Sequence, residues 1–562
     1  MDTYRLFVGV VFAISVFLLA DAWVRDHPTS PKAASAPGPQ SGTQLTPPPV
    51  PSSNGLTASG PPSGGAAQKS PNPVAQPVAG PLSKGERIEV RTDYLVADID
   101  MLGGDLRRVE LLRHRDRTDT SKNFVLLQDA VDQVYVAQTG LIGNGLPTHN
   151  TRYSAASTRY DLTPGQDSVI VKLTPIDNSN VKVTKTFTFH RASYVIDVNF
   201  QLTNDTSTAI DPYAYFQLLR DSKPPAGDSK MVPTYSGAEV YTEKDKLQKV
   251  TFSDIEANKG TYPKSAADGW VALVQHYFLS AWLPKPGISR EFFLKPIGNG
   301  LIAAGVIVPV GSVAPGQTAI SGAQLYVGPQ EQDQLKMLAP GLELTVDYGW
   351  LRVLAVPLFW VLNKIHEVVG NWGVAIIILT IIIKVIFYPL SAASYKSMAK
   401  MKLLAPKLQR LKERYGDDRQ KMHEAMIELY KTEKINPLGG CLPIVVQIPV
   451  FIALYWTLLL SVELRHAPFV LWIHDLSAPD PYYILPVLMG ATMFIQSWLN
   501  PAPPDPMQAK LMKIMPVAFS IFFFFFPAGL VLYWLVNNIL SIAQQWQITR
   551  SLERSKPAHG AS

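Results

Sequence analysis

Lys384 stands inside Trp372–Leu390, WGVAIIILTIIIKVIFYPL, a run long and apolar enough to cross a bilayer. An ammonium near the middle of a spanning helix costs about 2.5–3.5 kcal/mol on insertion scales, so such groups usually face protein or water rather than lipid. The competing reading is a snorkelling anchor. Lys384 is about 9 Å along a helix from Leu390, a distance that the lysine stem nearly covers. Polar groups recur in later apolar runs: Gln447 within Leu442–Val462, and Tyr533, Trp534, Asn537 and Asn538 within Leu530–Ile548. Hydrocarbon offers an amide no partner, so these groups must meet one another, water or a neighbouring helix. A cation and amides on adjacent spans can wall a solvated cavity. Bond-making chemistry has no visible seat. There is one cysteine, Cys441, and no CxxC, His/Cys cluster at ligand spacing or Walker-type glycine loop. No catalytic, cofactor-binding or metal-ligating residue is therefore assigned.

The elements that must position these groups occupy the C-terminal part of the chain. The whole sequence of 562 residues is 47% hydrophobic but only 17% charged, against about a quarter charged in ordinary soluble domains. The deficit is concentrated in 350–548. The net charge of +6 is small for this length and gives no sign of a nucleic-acid site.

Tyr4–Val24 is apolar and flanked by Arg5 and Arg25. It reads as an uncleaved anchor (1–25), with a signal peptide cleaved near Ala20-Asp21-Ala22 as the alternative. Residues 26–83, rich in Pro, Gly and Ser, cannot bury enough surface to fold and read as a tether. From 84 to 345 the pattern has period two. Tyr194, Ile196, Val198, Phe200 and Leu202 share one face of a strand. Val181–Phe189 alternates similarly, with Lys182, Lys185 and Thr188 read as its polar spacers. Many short strands with Pro, Gly and Asn-Asp turns predict a large antiparallel β-sandwich. Its histidines are scattered and no paired acidic motif stands out, although a carbohydrate-active site on it remains a competing reading.

Residues 346–371 mix Trp350, Phe359 and Trp360 with Arg352, Lys364 and Glu367, and Pro357 reads as a break. This predicts a helix lying in the membrane interface. After the first core span (372–390), residues 391–441 predict a polar helical hairpin. Met401, Leu404, Leu408, Leu411 and Tyr415 form one apolar stripe, Met422, Met426 and Leu429 the other, and a turn falls at 416–418. Further spans are predicted over 442–462 (interrupted by Pro443 and Pro449), 484–499, 512–526 and 530–548, with a basic tail over 549–562. The spans at 484–499 and 512–526 would be about 24 Å or less if helical, short for a hydrocarbon core of ~30 Å. Lysine and arginine crowd the hairpin and the tail, the loop before Met512 carries Lys510 with Lys513 just beyond it, and 463–483 holds Arg465 alone. By the positive-inside rule the hairpin, the loop before Met512 and the tail are cytosolic, as are both termini, and the sandwich is exported. The fold class is thus a multi-domain membrane protein with six spans: an N-terminal anchor plus a five-helix core, an exported antiparallel β-sandwich and a cytosolic helical hairpin.

Three blocks carry a resemblance: Asn436-Pro-Leu-Gly-Gly-Cys-Leu-Pro443, Phe469-Val-Leu-Trp-Ile-His-Asp-Leu476 and Pro527-Ala-Gly-Leu-Val-Leu-Tyr-Trp534. They resemble the YidC/Oxa-type membrane protein insertases, and the exported sandwich resembles the Gram-negative form of that family. The resemblance implies a bacterial inner-membrane protein with a hydrophilic groove open to cytosol and lipid and closed outward. It places the groove cation at Lys384, where the family more often has arginine, and groove positions at Thr380 and Trp534. The candidate groove residues are therefore Lys384, Thr380, Gln447, Trp534, Tyr533 and Asn537. Lysine keeps the charge but loses the bidentate fork. Implied partners are nascent integral membrane proteins, the bilayer, the Sec translocon, and a ribosome or targeting factor at the hairpin and tail. The activity implied is insertion, without a cofactor and without enzymatic turnover. Two other readings stay open: a secondary transporter with Lys384 as its site, though the spans show no inverted repeat, and a membrane-anchored sugar-modifying enzyme acting from the sandwich.

Overall fold

A computed structural model describes residues 82–117, 119–177, 179–225, 234–415, 418–433, 442–499 and 506–554. The expected anchor, nearly all of the tether, most of the block ending at Pro443 and the end of the basic tail lie outside these residues. The chain forms two compact units, one ending at Val346 and one beginning at Asp347.

Among its described residues the first unit contains a ten-stranded and a nine-stranded sheet. The pairing is antiparallel apart from Arg87–Arg91 against Arg159–Asp161, which run parallel. Val195–Asn204 lies between Val181–His190 and Thr318–Pro329 in the nine-stranded sheet. Ile196, Val198, Phe200 and Leu202 have no exposed surface, as period-two alternation requires of the inward face. The two sheets meet through Phe216, whose ring lies 6.3 Å from Phe200 and 5.1 Å from Trp282. Two short helices, α1 (Phe252–Glu256) and α2 (Gln332–Leu338), accompany the strands.

Lys185 corrects the reading of its strand. It has the parity of Val183 and Phe187, not that of the polar spacers, and it is fully buried. Its ammonium donates to the carbonyl oxygens of Gly104 at 2.6 Å, Gly103 at 3.0 Å and Thr139 at 3.4 Å. Three donors thus find three acceptors. Gly103 and Gly104 adopt φ of 86° and 57°, the left-handed region that glycine enters without strain, and this turn presents both carbonyls. Burial pushes the Lys185 pKa down to about 7, against a partly compensating attraction from Asp105. Asp105 is itself raised by burial and is ion-paired with Arg107 at 3.0 Å.

The second unit is helical: α3 (Arg352–Val369), α4 (Trp372–Ile386), α5 (Tyr388–Tyr415), α6 (Arg419–Thr432), α7 (Leu442–Leu460), α8 (Ile484–Leu499), α9 (Pro506–Phe522) and α10 (Ala528–Arg554). Pro357 and Pro449 lie inside α3 and α7 without ending them, contrary to the expected breaks. In α3 the donor missing from Pro357 would have served a carbonyl in the first turn. Trp350, Val353 and Trp360 are exposed, whereas Phe359 is buried. The aromatic residues of 346–371 therefore divide between two faces.

The run from Trp372 to Leu390 is not one helix. α4 stops at Ile386 and α5 starts at Tyr388, with a 67° bend between them. Pro389 explains the break: it has no N–H for the carbonyl of Val385, and proline fits best in the first turn of a new helix. Among the described residues no single helix is long and apolar enough to cross a membrane; the bent pair passes that test together, and Val446–Leu460, Ile484–Leu499 and Lys513–Phe525 are shorter apolar stretches. α5 and α6 form the hairpin, tied by Lys407 to Glu433 at 2.5 Å. Asp418 caps α6 by accepting from the amides of Gln420 and Lys421.

Candidate functional site

Lys384 lies in the last turn of α4, just before the bend, and is only 5% exposed. Its Nζ donates to Ser541 Oγ at 2.7 Å. Ser541 donates in turn to the carbonyl of Asn537, one turn earlier on α10, also at 2.7 Å. Among the described residues that line the cavity beside it there is no carboxylate and no second cation. The ammonium borders a cavity of about 290 Å³, whose other polar walls are Ser391, Ser394 and Tyr395 of α5, Gln447 of α7, Gln496 of α8 and Asn537 and Asn538 of α10. Apolar walls come from Met398, Ile448 and Phe451, with Tyr533 and Trp534 beside them.

Helix periodicity brings these groups together. Trp534, Asn537, Asn538 and Ser541 recur at three- and four-residue spacing, so one face of α10 carries all of them. Gln447 Nε2 donates to Asn537 Oδ1 at 2.9 Å, joining α7 to α10. Asn538 reaches Thr492 Oγ1 of α8 at 3.4 Å. Trp534 packs edge-on against Phe451 at 4.5 Å and lies tilted against Phe523 at 5.1 Å.

Five of the six sequence candidates, Lys384, Gln447, Tyr533, Trp534 and Asn537, line the cavity. Thr380 does not. It is 1% exposed and its hydroxyl donates to the carbonyl of Ile376 in its own helix at 2.7 Å, the usual way a buried threonine satisfies itself in a helix. Sequence reading missed Ser541, Ser391, Ser394, Tyr395 and Gln496. The serines carried no distinguishing signal, but the i, i+4 step from Asn537 to Ser541 was available.

The end of the bundle where α4 and α10 begin is covered by 462–483. Asp480, 1% exposed, accepts from Trp472 Nε1 at 3.0 Å, the Tyr482 amide at 3.0 Å and the Leu485 amide at 2.7 Å. Asn371, the cap of α4, donates to the carbonyl of Phe469 at 3.0 Å. A Cβ on Gly373 would come within 2.1 Å of the Phe469 ring, so the loop sits directly on the α4 backbone. The amides of Ala528 and Gly529 donate to the carbonyls of Ala478 and Leu476 at 2.7 and 2.9 Å.

The β unit has its own cleft of about 500 Å³, bordered by Asp197, Glu243, Asp268, Lys285 and Arg290. Three of these charged groups are engaged within the domain. Asp197 meets His190 at 2.6 Å and Gln324 at 2.9 Å, and Glu243 meets Lys246 at 3.2 Å. Arg290 spends its donors on the carbonyls of Ile288, Gly269, Pro284, Ala267 and Lys285.

The helical unit thus holds a polar cavity with one cation among apolar helices, and the same chain carries a β-sandwich. Residues 87–361 match the YidC periplasmic domain family, and 364–556 match the 60Kd inner membrane protein family. The membrane protein insertase YidC of Methylobacillus flagellatus is 57% identical over 556 residues, covering 99% of this chain and 98% of that one. That of Nitrosospira multiformis is 54% identical over 564 residues, with coverage of 99% and 98%. A solved structure described as an active YidC insertase with its first transmembrane domain resolved aligns over 82% of this chain and 93% of its own, at 18% identity and a TM-score of 0.38. The chain belongs to the YidC family of membrane protein insertases. That family is not one of enzymes, and neither the transporter reading nor the sugar-modifying reading finds support in these matches.

Proposed function

We propose that this chain inserts integral membrane proteins by holding a client's hydrophilic flank in the cavity around Lys384 while the client's apolar part leaves sideways into lipid. The observation that carries this reading is a buried ammonium whose contact is a neutral hydroxyl, at the wall of a cavity lined by amides and hydroxyls. An acidic side chain 4 Å from a cation gains about 4 kcal/mol at an effective dielectric of 20 but about 1 kcal/mol in water. The cavity therefore favours acidic flanks that water would not. The 16-residue α8 spans about 24 Å, which supports a locally thinned barrier beside the cavity.

In this reading residues 26–348 lie outside the cytosol and 391–441 inside, so the loop 462–483 closes the cavity outward. The Sec translocon acts beside the protein, and a ribosome or targeting factor meets the lysine-rich α5–α6 hairpin and the tail. Reporter fusions at Gly300 and Asp418 should show opposite sidedness; equal signal would overturn the topology. The decisive experiment reconstitutes the pure protein in liposomes and offers short nascent clients whose translocated segments are acidic or neutral. Insertion should occur with this protein alone, and Lys384→Ala should impair acidic clients more than neutral ones. An equal effect on both would remove the charge-based mechanism. Deletion of residues 84–339 should leave substantial insertion; complete loss, with the truncated protein still in the membrane, would put the site in the sandwich.

A further inference from the structure

Ser541 is the neighbour of Lys384 that the functional reading does not use. An ammonium has three N–H donors and accepts nothing. Here one of them goes to Ser541 Oγ at 2.7 Å, and the serine's own proton is committed to the Asn537 carbonyl at 2.7 Å. With its proton fixed there, the hydroxyl offers its lone pairs to the lysine and to the neighbouring Tyr395 of α5. Ser541 is 4% exposed and Lys384 5%, yet both border the cavity, so the bond sits where packed protein gives way to open space. It also continues a chain of bonds: Gln447 to Asn537 Oδ1 at 2.9 Å, Asn537 carbonyl to Ser541, Ser541 to Lys384. That chain runs from α7 across α10 to α4. A flexible lysine stem with no such contact would sample many rotamers.

We propose that Ser541 is a positioning residue, which holds the Lys384 ammonium at the cavity wall so that its remaining donors meet a client carboxylate. The inference rests on the reading of Lys384 given above. A neutral hydroxyl suits this role because it takes one donor and leaves the positive charge intact. An incoming carboxylate adds an attraction between two ions that the hydroxyl lacks, so it engages the remaining donors while Ser541 keeps its own. A built-in aspartate at 541 would hold the lysine permanently. The pairing also fits this chain's choice of cation. One hydroxyl matches the single-atom head of lysine, whereas an arginine fork presents donors in pairs.

The competing role for Ser541 is purely local, a serine bonded to its own helix as in many buried helices. A double-mutant cycle in the full-length protein separates the two. Proteoliposomes carrying the parent, S541A, S541T, S541D, K384A or K384A/S541A are given paired clients that differ by Asp-to-Asn changes in the translocated segment. The readout is the ratio of acidic to neutral insertion. S541A should lower that ratio by about tenfold, the order expected for one hydrogen bond to a charged group. S541T should restore it, and S541D should bring it to the K384A value. S541A should add nothing in the K384A background. A loss of the same size in both backgrounds would make Ser541 a packing residue and overturn the proposal. So would an S541A ratio equal to the parent's when K384A lowers it, and in that case the charge-based reading of Lys384 survives. If K384A itself leaves the ratio unchanged, that reading falls and the role of Ser541 falls with it.

Discussion

Lys185 in the β unit and Lys384 in the helical unit are 0% and 5% exposed, but their ammonium groups are provided for differently. Lys185 finds three carbonyl oxygens from a glycine turn and a neighbouring strand. Lys384 has one neutral hydroxyl and an open cavity. Full satisfaction makes the first lysine a staple between Val181–His190 and the opposite sheet. Incomplete satisfaction leaves the second with donors to offer. Burial alone does not distinguish the two cations; the count of acceptors around each does.

Charge reversal should separate the two lysines most sharply. Lys384→Glu should reduce insertion of acidic clients by more than tenfold, because like charges repel in a poorly screened site, while Lys384→Arg stays near the parent. Paired clients in liposomes measure this, and equal insertion by the Glu variant would return Lys384 to the role of a snorkelling anchor. For Lys185 the expected loss is of stability. Lys185→Met strands three carbonyl acceptors and should cost about 1–3 kcal/mol for each one left unbonded, read as faster amide exchange along Val181–His190 with insertion selectivity unchanged.

The pH dependence of that strand sharpens the contrast. The folded pKa of about 7 lies below the ordinary 10.5. Between these values the unfolded chain binds the extra proton, so stability rises with pH from about 7 to 10. Exchange protection of the strand, corrected for the intrinsic pH effect on exchange, should increase over that window, and Lys185→Met should flatten the slope. A smaller effect belongs to the loop over the helical unit: Asp480→Ala frees three donors and should cost about 1–2 kcal/mol in local stability, seen in exchange at 482–485. Smallest of all is Thr380→Val. A threonine bonded to its own helix and away from the cavity should change stability by no more than about 1 kcal/mol and leave client selectivity alone; a clear loss of selectivity would restore it to the site.

How legible these features were in the sequence follows from the same contrast. The period-two runs fixed which residues face inward at Val195–Asn204, but a lysine's identity outweighed its parity at position 185. Lys384, Gln447 and Asn537 were visible because charges and amides are costly in apolar runs. Ser541 was not, since one serine in a spanning helix needs only its own backbone. Thr380 misled for the same reason in reverse: resemblance pointed to the position, and only geometry shows the hydroxyl turned back on α4. The bend at Phe387 was readable from Pro389, yet continuous hydrophobicity up to Leu390 hid it.

The loop bonds at the head of the bundle have a consequence for how the molecule is made. Asn371 waits for a carbonyl 98 positions later, and Ala478 and Leu476 wait for the amides of Ala528 and Gly529. Ribosomes release the chain in one direction, so α4 through α8 emerge before their cover has its last two attachments. Lys384 likewise has no hydroxyl to rest on until α10 appears. The cavity takes walls from α10 as well as from α4, α5, α7 and α8, so it is complete only once the final helix is in place.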